Sequence, residues 1–378
     1  MMNIGRRKFI ITGVAAAITV IAGSLFYYYR HLSPTTKPGE TVSVVGHLGR
    51  TVTLRKPVER IIVTEDKIGE MIRILELEDK VVGIDPHMAK MGDFFPVMRD
   101  KTPVGICTRP LNFEKIAELK PDLVIIHAHY GGSAGNIEPM ERMKIPVIAL
   151  DTFLGSGAKQ GEPIDFTQID LNNDPQADAL RKLGKIFDRE DRAEEFIAWR
   201  NKIANDVIER IKDIREDARK TAWATFYFGS FDMLSIGNGR KEDAALDMAG
   251  LHNIIEEYTM RKVDPEWVLK KDPDIVVITG YADWTGEYTV TDPMQLKKLI
   301  DQFSQLPGFE KLSAVKNNMV CVLAGICMDV RFWIGAAYLG KFAYPERFKD
   351  VSPTDIQREY FEKWLRIPYK GCYFYPIL

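Results

Sequence analysis

The stretch NFEKIAELKPDLVII at residues 112–126 returns in altered form as DPEWVLKKDPDIVVI at residues 264–278. Each copy begins with a short helical pattern that a proline stops, because proline cannot continue a helix and disfavours helix at the residue before it. An aspartate then opens the turn into a continuous apolar strand. This pattern of a helix, a proline stop and a buried strand occurs once in each half of the chain. It therefore predicts two α/β units.

Outward from these stretches, apolar strands and helical patterns alternate in both halves. Beyond the two quoted strands, we predict strands at 41–45, 51–54, 60–63, 81–84, 145–150, 222–228 and 319–323. Helical patterns at 176–187 and 190–214 lie between the halves, and the second contains no Gly or Pro and would span roughly 30 Å or more. The fold class that follows is α/β, with two Rossmann-like lobes joined by a long backbone helix. A ligand cleft is expected between the carboxyl ends of their strands.

The N-terminus carries a membrane-targeting pattern. Arg6, Arg7 and Lys8 precede a charge-free run from Phe9 to Tyr29, which matches the roughly 20 apolar residues of a transmembrane helix. The positively charged residues before this run are expected to stay in the cytoplasm. We favour an uncleaved anchor because neither an Ala-x-Ala site nor a lipoprotein cysteine follows. A cleaved Sec or twin-arginine signal is the alternative. Both place the rest of the chain outside the cytoplasm.

These patterns give the expected domain boundaries. They are an anchor at 1–30, a linker with the first short strands at 31–56, an N-terminal lobe at 57–173, connecting helices at 174–217 and a C-terminal lobe at 218–378.

Composition excludes several classes of protein. Of the 378 residues, 46% are hydrophobic and 28% are charged, and the net charge is −2. A nucleic-acid-binding surface needs a clear excess of Lys and Arg, which is absent here. The four cysteines are too few for a disulfide scaffold. We expect them to be buried apolar residues, with a Cys327–Cys372 bridge as the alternative.

Six motifs in order carry a resemblance to a known family. They are GRTV at 49–52 with Pro57 and RII at 60–62, the two quoted stretches, GLHN at 250–253, LGK at 339–341 and YPERF at 344–348. The order resembles that of the class III substrate-binding proteins of ABC importers, which serve ferric siderophores, haem and cobalamin. The resemblance implies a stiff two-lobed binder with no intrinsic cofactor and no enzymatic activity. Its partners would be a metal chelate, an ABC permease with its ATPase, and the membrane through the N-terminal helix.

Topology places the expected ligand contacts in the loops that follow the strands, while the metal itself stays unassigned. The predicted cleft residues are Glu65, His87, His127, His129, Tyr130, Phe231, Tyr281, Trp284, Met328 and Arg331.

The sharpest cluster is HAHY at residues 127–130. Residues i and i+2 of a strand share a face, so both imidazoles are expected to point into the cleft. Imidazole and phenolate are ligands for iron, nickel or cobalt, although contact with a bound chelate is the better expectation. Alternatively, one histidine caps the strand end by hydrogen bonding and the other is solvated.

Side chains of the second lobe also have two readings. Tyr281 and Trp284 suit a flat or bulky chelate, or they pack on a neighbouring helix. The forked N–H donors of the Arg331 guanidinium suit an anionic siderophore, or they form a salt bridge to Asp329 or Asp283.

Two acidic residues are candidates for docking to the permease. The resemblance implies one acidic residue on each lobe that meets permease arginines, and we choose Glu70 and Glu242.

The chain contains no Walker lysine motif, no Gly-x-Ser-x-Gly elbow and no His-Glu-x-x-His. Two alternatives remain: an anchored binding protein that feeds a sensor, and a chelatase or nitrogenase-like metalloenzyme. The export signal argues against the second.

Overall fold

The computed structural model describes residues 39–129, 132–154, 164–237, 241–257, 260–281 and 285–378. The predicted anchor at 1–30 therefore lies outside the described residues. Within the described ranges, no helix is both long and apolar enough to cross a membrane.

A β-hairpin opens the described chain. Strand β1 (Thr41–Val45) pairs antiparallel with β2 (Thr51–Arg55), and side chains alternate between buried and exposed along both. The turn between them reaches the first lobe, where the His47 N–H donates to the carbonyl of Ala149 at 2.8 Å. The hairpin is thus attached to the N-terminal lobe.

The N-terminal lobe is a five-stranded parallel sheet in the order β5-β4-β3-β6-β7. Its strands are apolar because helices cover the sheet. The strands are β3 (Ile61–Val63), β4 (Val81–Ile84), β5 (Thr102–Pro103), β6 (Leu123–His127) and β7 (Val147–Leu150). The helices are α1 (Asp66–Ile74), α2 (Pro86–Lys90), α3 (Phe113–Leu119) and α4 (Ala134–Arg142).

Two helices, α5 (Pro175–Phe187) and α6 (Glu190–Ile211), connect the lobes. Asp174 caps α5 by accepting from the Gln176 N–H at 2.8 Å, and proline occupies the first helical position. Asp188 adopts a left-handed conformation with φ 54° and separates the two helices. The long connecting helix predicted from the sequence is therefore confirmed as α6.

The C-terminal lobe is a seven-stranded mixed sheet in the order β11-β9-β8-β12-β13-β14, with β10 paired to β8. The strands are β8 (Lys220–Tyr227), β9 (Leu234–Ile236), β10 (Leu251–Asn253), β11 (Met260–Lys262), β12 (Ile275–Gly280), β13 (Val320–Leu323) and β14 (Phe374–Tyr375). The helices are α7 (Ala244–Met248), α8 (Pro265–Lys271), α9 (Pro293–Ser304), α10 (Ser313–Lys316), α11 (Gly325–Met328), α12 (Phe332–Ala343) and α13 (Pro353–Glu359), followed by a π-helical turn at Tyr360–Trp364.

The repeated proline-aspartate motif has the same structural role in both lobes. The Asp122 carboxylate accepts from the Arg60 N–H at 2.9 Å, and Asp274 accepts from the Thr221 N–H at 2.8 Å. Each aspartate thereby fixes the start of the neighbouring parallel strand. The motif organises the sheet and carries no chemistry itself, as the sequence suggested.

One apolar core cluster extends through both lobes. It includes Ile72 from α1, Phe196 from α6 and Trp333 from α12. The chain after α13 also returns to the first lobe, where Arg366 donates to Glu78 at 2.5 Å. The two lobes are consequently packed together behind the cleft. All four cysteines are free, which rules out the Cys327–Cys372 bridge in this structure.

Candidate ligand-binding cleft

Polar side chains follow the parallel strands of the first lobe at their carboxyl ends. Glu65 follows β3, Asp85 follows β4, and Asp151 follows β7, while His127 is the last residue of β6. Because β4, β3, β6 and β7 are parallel neighbours, these ends meet at one edge of the sheet.

His127 is fully buried and has partners on both ring nitrogens. Nδ1 accepts from the His129 N–H at 3.1 Å, which places the proton of the neutral ring on Nε2. Nε2 then donates to Thr152 Oγ1 at 2.9 Å. In this structure His127 has the hydrogen-bonded, strand-capping role that was the alternative reading of the HAHY cluster.

His129 is the accessible member of the pair. Its side chain is 37% exposed, and Nδ1 lies 4.0 Å from Asp151 Oδ2. The Phe153 ring packs against both imidazoles, with centroids 4.5 Å from His127 and 4.9 Å from His129. Both imidazoles therefore lie beside Phe153 and Asp151, and His129 is the more exposed of the two. The last member of the cluster, Tyr130, lies outside the described residues.

An acidic group borders the start of α1. Glu65 caps this helix by accepting from the Lys67 N–H at 2.7 Å, and Lys67 Nζ returns to its carboxylate at 2.8 Å. Burial raises the pKa of Glu65, and Lys67 only partly opposes this effect. Asp85 caps α2 through the His87 N–H at 2.8 Å, and burial raises its pKa to about 6. His87 itself is about half exposed.

An aromatic cluster lies at the carboxyl ends of β8 and β12 of the second lobe. The Phe226 and Phe228 rings stack at 5.2 Å, and the Tyr281 ring lies 5.3 Å from Phe228 in an edge-to-face arrangement. Tyr281 is 63% exposed, whereas Phe231 packs against Phe303 of the lobe core at 5.5 Å. Tyr281 is thus available at the carboxyl end of β12. Trp284 lies outside the described residues.

Two predicted ligand contacts and both predicted docking residues are buried in this structure. Met328 and Arg331 are 0% and 1% exposed, because α11 and the start of α12 fold into the core. Glu70 pairs with Arg331 across the lobes, with Arg331 Nη2 2.8 Å from Glu70 Oε1. Glu242 is also buried. Neither acid presents a surface carboxylate to a permease arginine in this structure.

Reasoning from the sequence did not single out three residues that the structure brings forward. Asp151 lies beside both histidines and donates its N–H to His47 at 3.0 Å, burial raises the pKa of Glu287 to about 7, and Tyr360 donates to Glu70 at 2.5 Å. Only Asp151 had a usable signal, because it directly follows an apolar strand. In the described part of the chain, no group of three or more His, Cys, Asp or Glu side chains could hold a metal ion.

Comparison with known proteins identifies the family of this two-lobed architecture. A family model described as "Periplasmic binding protein" matches residues 61–325, from β3 through the first residue of α11. The chain belongs to the periplasmic binding protein family. As a periplasmic binding protein, it is a solute-binding component of an ABC importer and not an enzyme.

Individual relatives are distant but cover most of this periplasmic binding protein. The molybdate-binding protein MolA of Haemophilus influenzae is 23% identical over 350 residues, which are 87% of this chain and 89% of the relative. Its molybdate-bound structure superposes with a TM-score of 0.69 at 18% identity and covers 88% of this chain and 100% of that chain. The TroA-like protein FepB of Veillonella parvula gives a TM-score of 0.71 at 22% identity, over 88% of this chain and 99% of that chain.

A third relative matches a shorter part of the chain. The Fe(3+)-citrate-binding protein YfmC of Bacillus subtilis is 24% identical over 222 residues, which are 58% of this chain and 59% of the relative.

Proposed function

We propose that this binding protein captures a preformed metal chelate, such as a ferric siderophore, haem or a corrinoid, between its lobes and delivers it to an ABC permease. The proposal is supported by the chemistry at the carboxyl ends of the strands in each lobe. The first lobe offers the accessible His129 beside Asp151, and the second offers the exposed ring of Tyr281. Relatives named for molybdate and Fe(3+)-citrate support a metal-containing cargo.

A chelate fits the described residues better than a bare metal ion. A bare ion needs several ligands from the protein, and no group of three or more candidate ligands occurs in the described part of the chain. A chelate brings its own ligands and needs only hydrogen bonds and flat apolar contacts. His129 and Asp151 can supply the former and Tyr281 the latter.

A fluorescence titration tests this function. Purified protein is titrated with ferric siderophores, ferric citrate, haem, corrinoids and molybdate, and quenching of intrinsic tryptophan and tyrosine emission is followed. We expect at least one chelate to give a saturable response that Tyr281→Ala weakens. A response to molybdate alone would replace the chelate with a bare oxyanion as cargo. No response to any chelate from folded protein would contradict the proposal.

The domain limits and the membrane anchor belong to the same proposal. We infer that residues 57–173 and 218–378 act as the two lobes, that 174–217 joins them, and that 1–30 anchors the protein on the extracytoplasmic face of the membrane. The charge-free run from Phe9 to Tyr29 supports the anchor.

A further inference from the structure

A buried ion pair joins the lobes at the base of the cleft. Arg331 Nε and Nη2 donate to the two carboxylate oxygens of Glu70 at 3.0 and 2.8 Å, and the side chains are 1% and 7% exposed. Glu70 lies on α1, which follows β3 of the first lobe. Arg331 lies between α11 and α12, which follow β13 of the second. The pair thus connects the elements that leave the carboxyl edges of the two sheets.

Aromatic rings from both sides enclose this pair and exclude water from it. The Arg331 guanidinium lies 5.1 Å from the Phe94 ring of the first lobe and 5.5 Å from the Phe361 ring of the C-terminal segment. The Tyr360 hydroxyl adds a hydrogen bond to Glu70 at 2.5 Å. Burial disfavours the charged guanidinium, but Glu70 more than offsets this and holds the pKa of Arg331 well above its usual value.

We propose that the Arg331–Glu70 pair is an interlobe lock that fixes the width of the cleft. The lock goes beyond the proposed function and does not depend on the identity of the cargo.

Distances between spin labels on the two lobes test the lock. Labels are attached to the full-length chain at the exposed sites Lys115→Cys on α3 and Lys298→Cys on α9, with Cys372→Ser to remove the one cysteine that is not fully buried. The wild-type protein should give a single narrow distribution of distances between the two labels. Glu70→Gln should increase the ratio of separated to joined lobes by about tenfold or more, because it removes a charge-assisted double hydrogen bond.

Matched variants make the result decisive. Glu59→Gln removes a carboxylate from an exposed pair with Lys80 and should leave the distance unchanged. Tyr360→Phe keeps the ion pair and removes one hydroxyl, so it should shift the ratio in the same direction by a smaller factor. If folded Glu70→Gln matches wild type, the lock is wrong. If Glu70→Gln does not fold, an unchanged distance in Tyr360→Phe overturns it instead.

Discussion

At the scale of single residues, the two histidines that the sequence presents as equivalent have different environments. His127 is buried and hydrogen-bonded on both nitrogens, whereas His129 is exposed beside Asp151. The difference arises because β6 ends at His127 and the next residues turn away. We therefore predict that His129 contacts the cargo, whereas His127 holds the strand end to Thr152.

Alanine substitutions separate these two roles. His129→Ala should weaken affinity for the bound chelate by up to about tenfold, the cost of one neutral hydrogen bond of roughly 0.5–1.5 kcal/mol. His127→Ala should instead lower the free energy of unfolding by about 1–3 kcal/mol, because the buried Thr152 loses its partner. Fluorescence titration and urea unfolding measure the two effects.

His252→Ala is the matched control for both measurements. His252 lies on β10, beside the amino-terminal part of β8 and away from the cleft edge, so neither quantity should change appreciably. A loss of affinity much greater than a hundredfold for His129→Ala would indicate direct metal ligation. Unchanged affinity would show that His129 does not touch the cargo.

At the scale of secondary-structure elements, the connecting helices are joined by a buried polar network. Arg200 of α6 forms an ion pair with Asp174, the N-cap of α5, and donates to Gln176 Oε1 at 2.7 Å. Gln176 in turn donates to the Val330 carbonyl at 2.9 Å, next to Arg331. The network fixes α5 against α6 and against the second lobe.

We predict that Arg200→Met destabilises the protein by about 3–5 kcal/mol, because it leaves the buried Asp174 carboxylate without its partner. Arg181→Met serves as the control. It removes an arginine from a largely exposed pair with Glu194 and should cost under about 1 kcal/mol. Denaturant unfolding of both variants measures the difference. If both variants lost the same free energy of unfolding, the network would not hold the two helices together.

At the scale of the whole molecule, the proposed anchor determines on which side of the membrane the two lobes lie. We predict that residues 1–30 remain on the mature protein, because a charge-free run long enough to span a bilayer has no clear cleavage site after it. N-terminal sequencing of protein from the membrane fraction should begin at Met1 or Met2. Material that begins beyond Ser24 would demonstrate cleavage.

Replacing Ile18 and Ile21 with Asp provides a complementary test of the anchor. Two charges near the centre of the run should prevent stable insertion, since each costs about 2.5–3.5 kcal/mol there. The variant should therefore leave the membrane fraction. The conservative change of the same residues to Leu should keep the protein in that fraction.

The sequence by itself determined the connecting helices and most of the parallel strands of the two lobes. The strand β1 and the helices α3 and α8 have the positions that local patterns predict, because periodicity, caps and proline stops act between residues close in the chain. The family also followed from motifs of this local kind. The antiparallel strands β9, β11 and β14 carried no such signal, since they are only two or three residues long.

Only the tertiary structure decided which side chains reach the cleft. Glu70 and Arg331 are 261 residues apart in the chain, and neither has a local pattern that names the other as its partner. Their side chains meet because the apolar cores of the two lobes pack together and bury both charges, which must then pair. The same packing buries Met328 and leaves Tyr281 exposed. Burial depends on contacts between distant segments, and no short stretch of sequence contains that information.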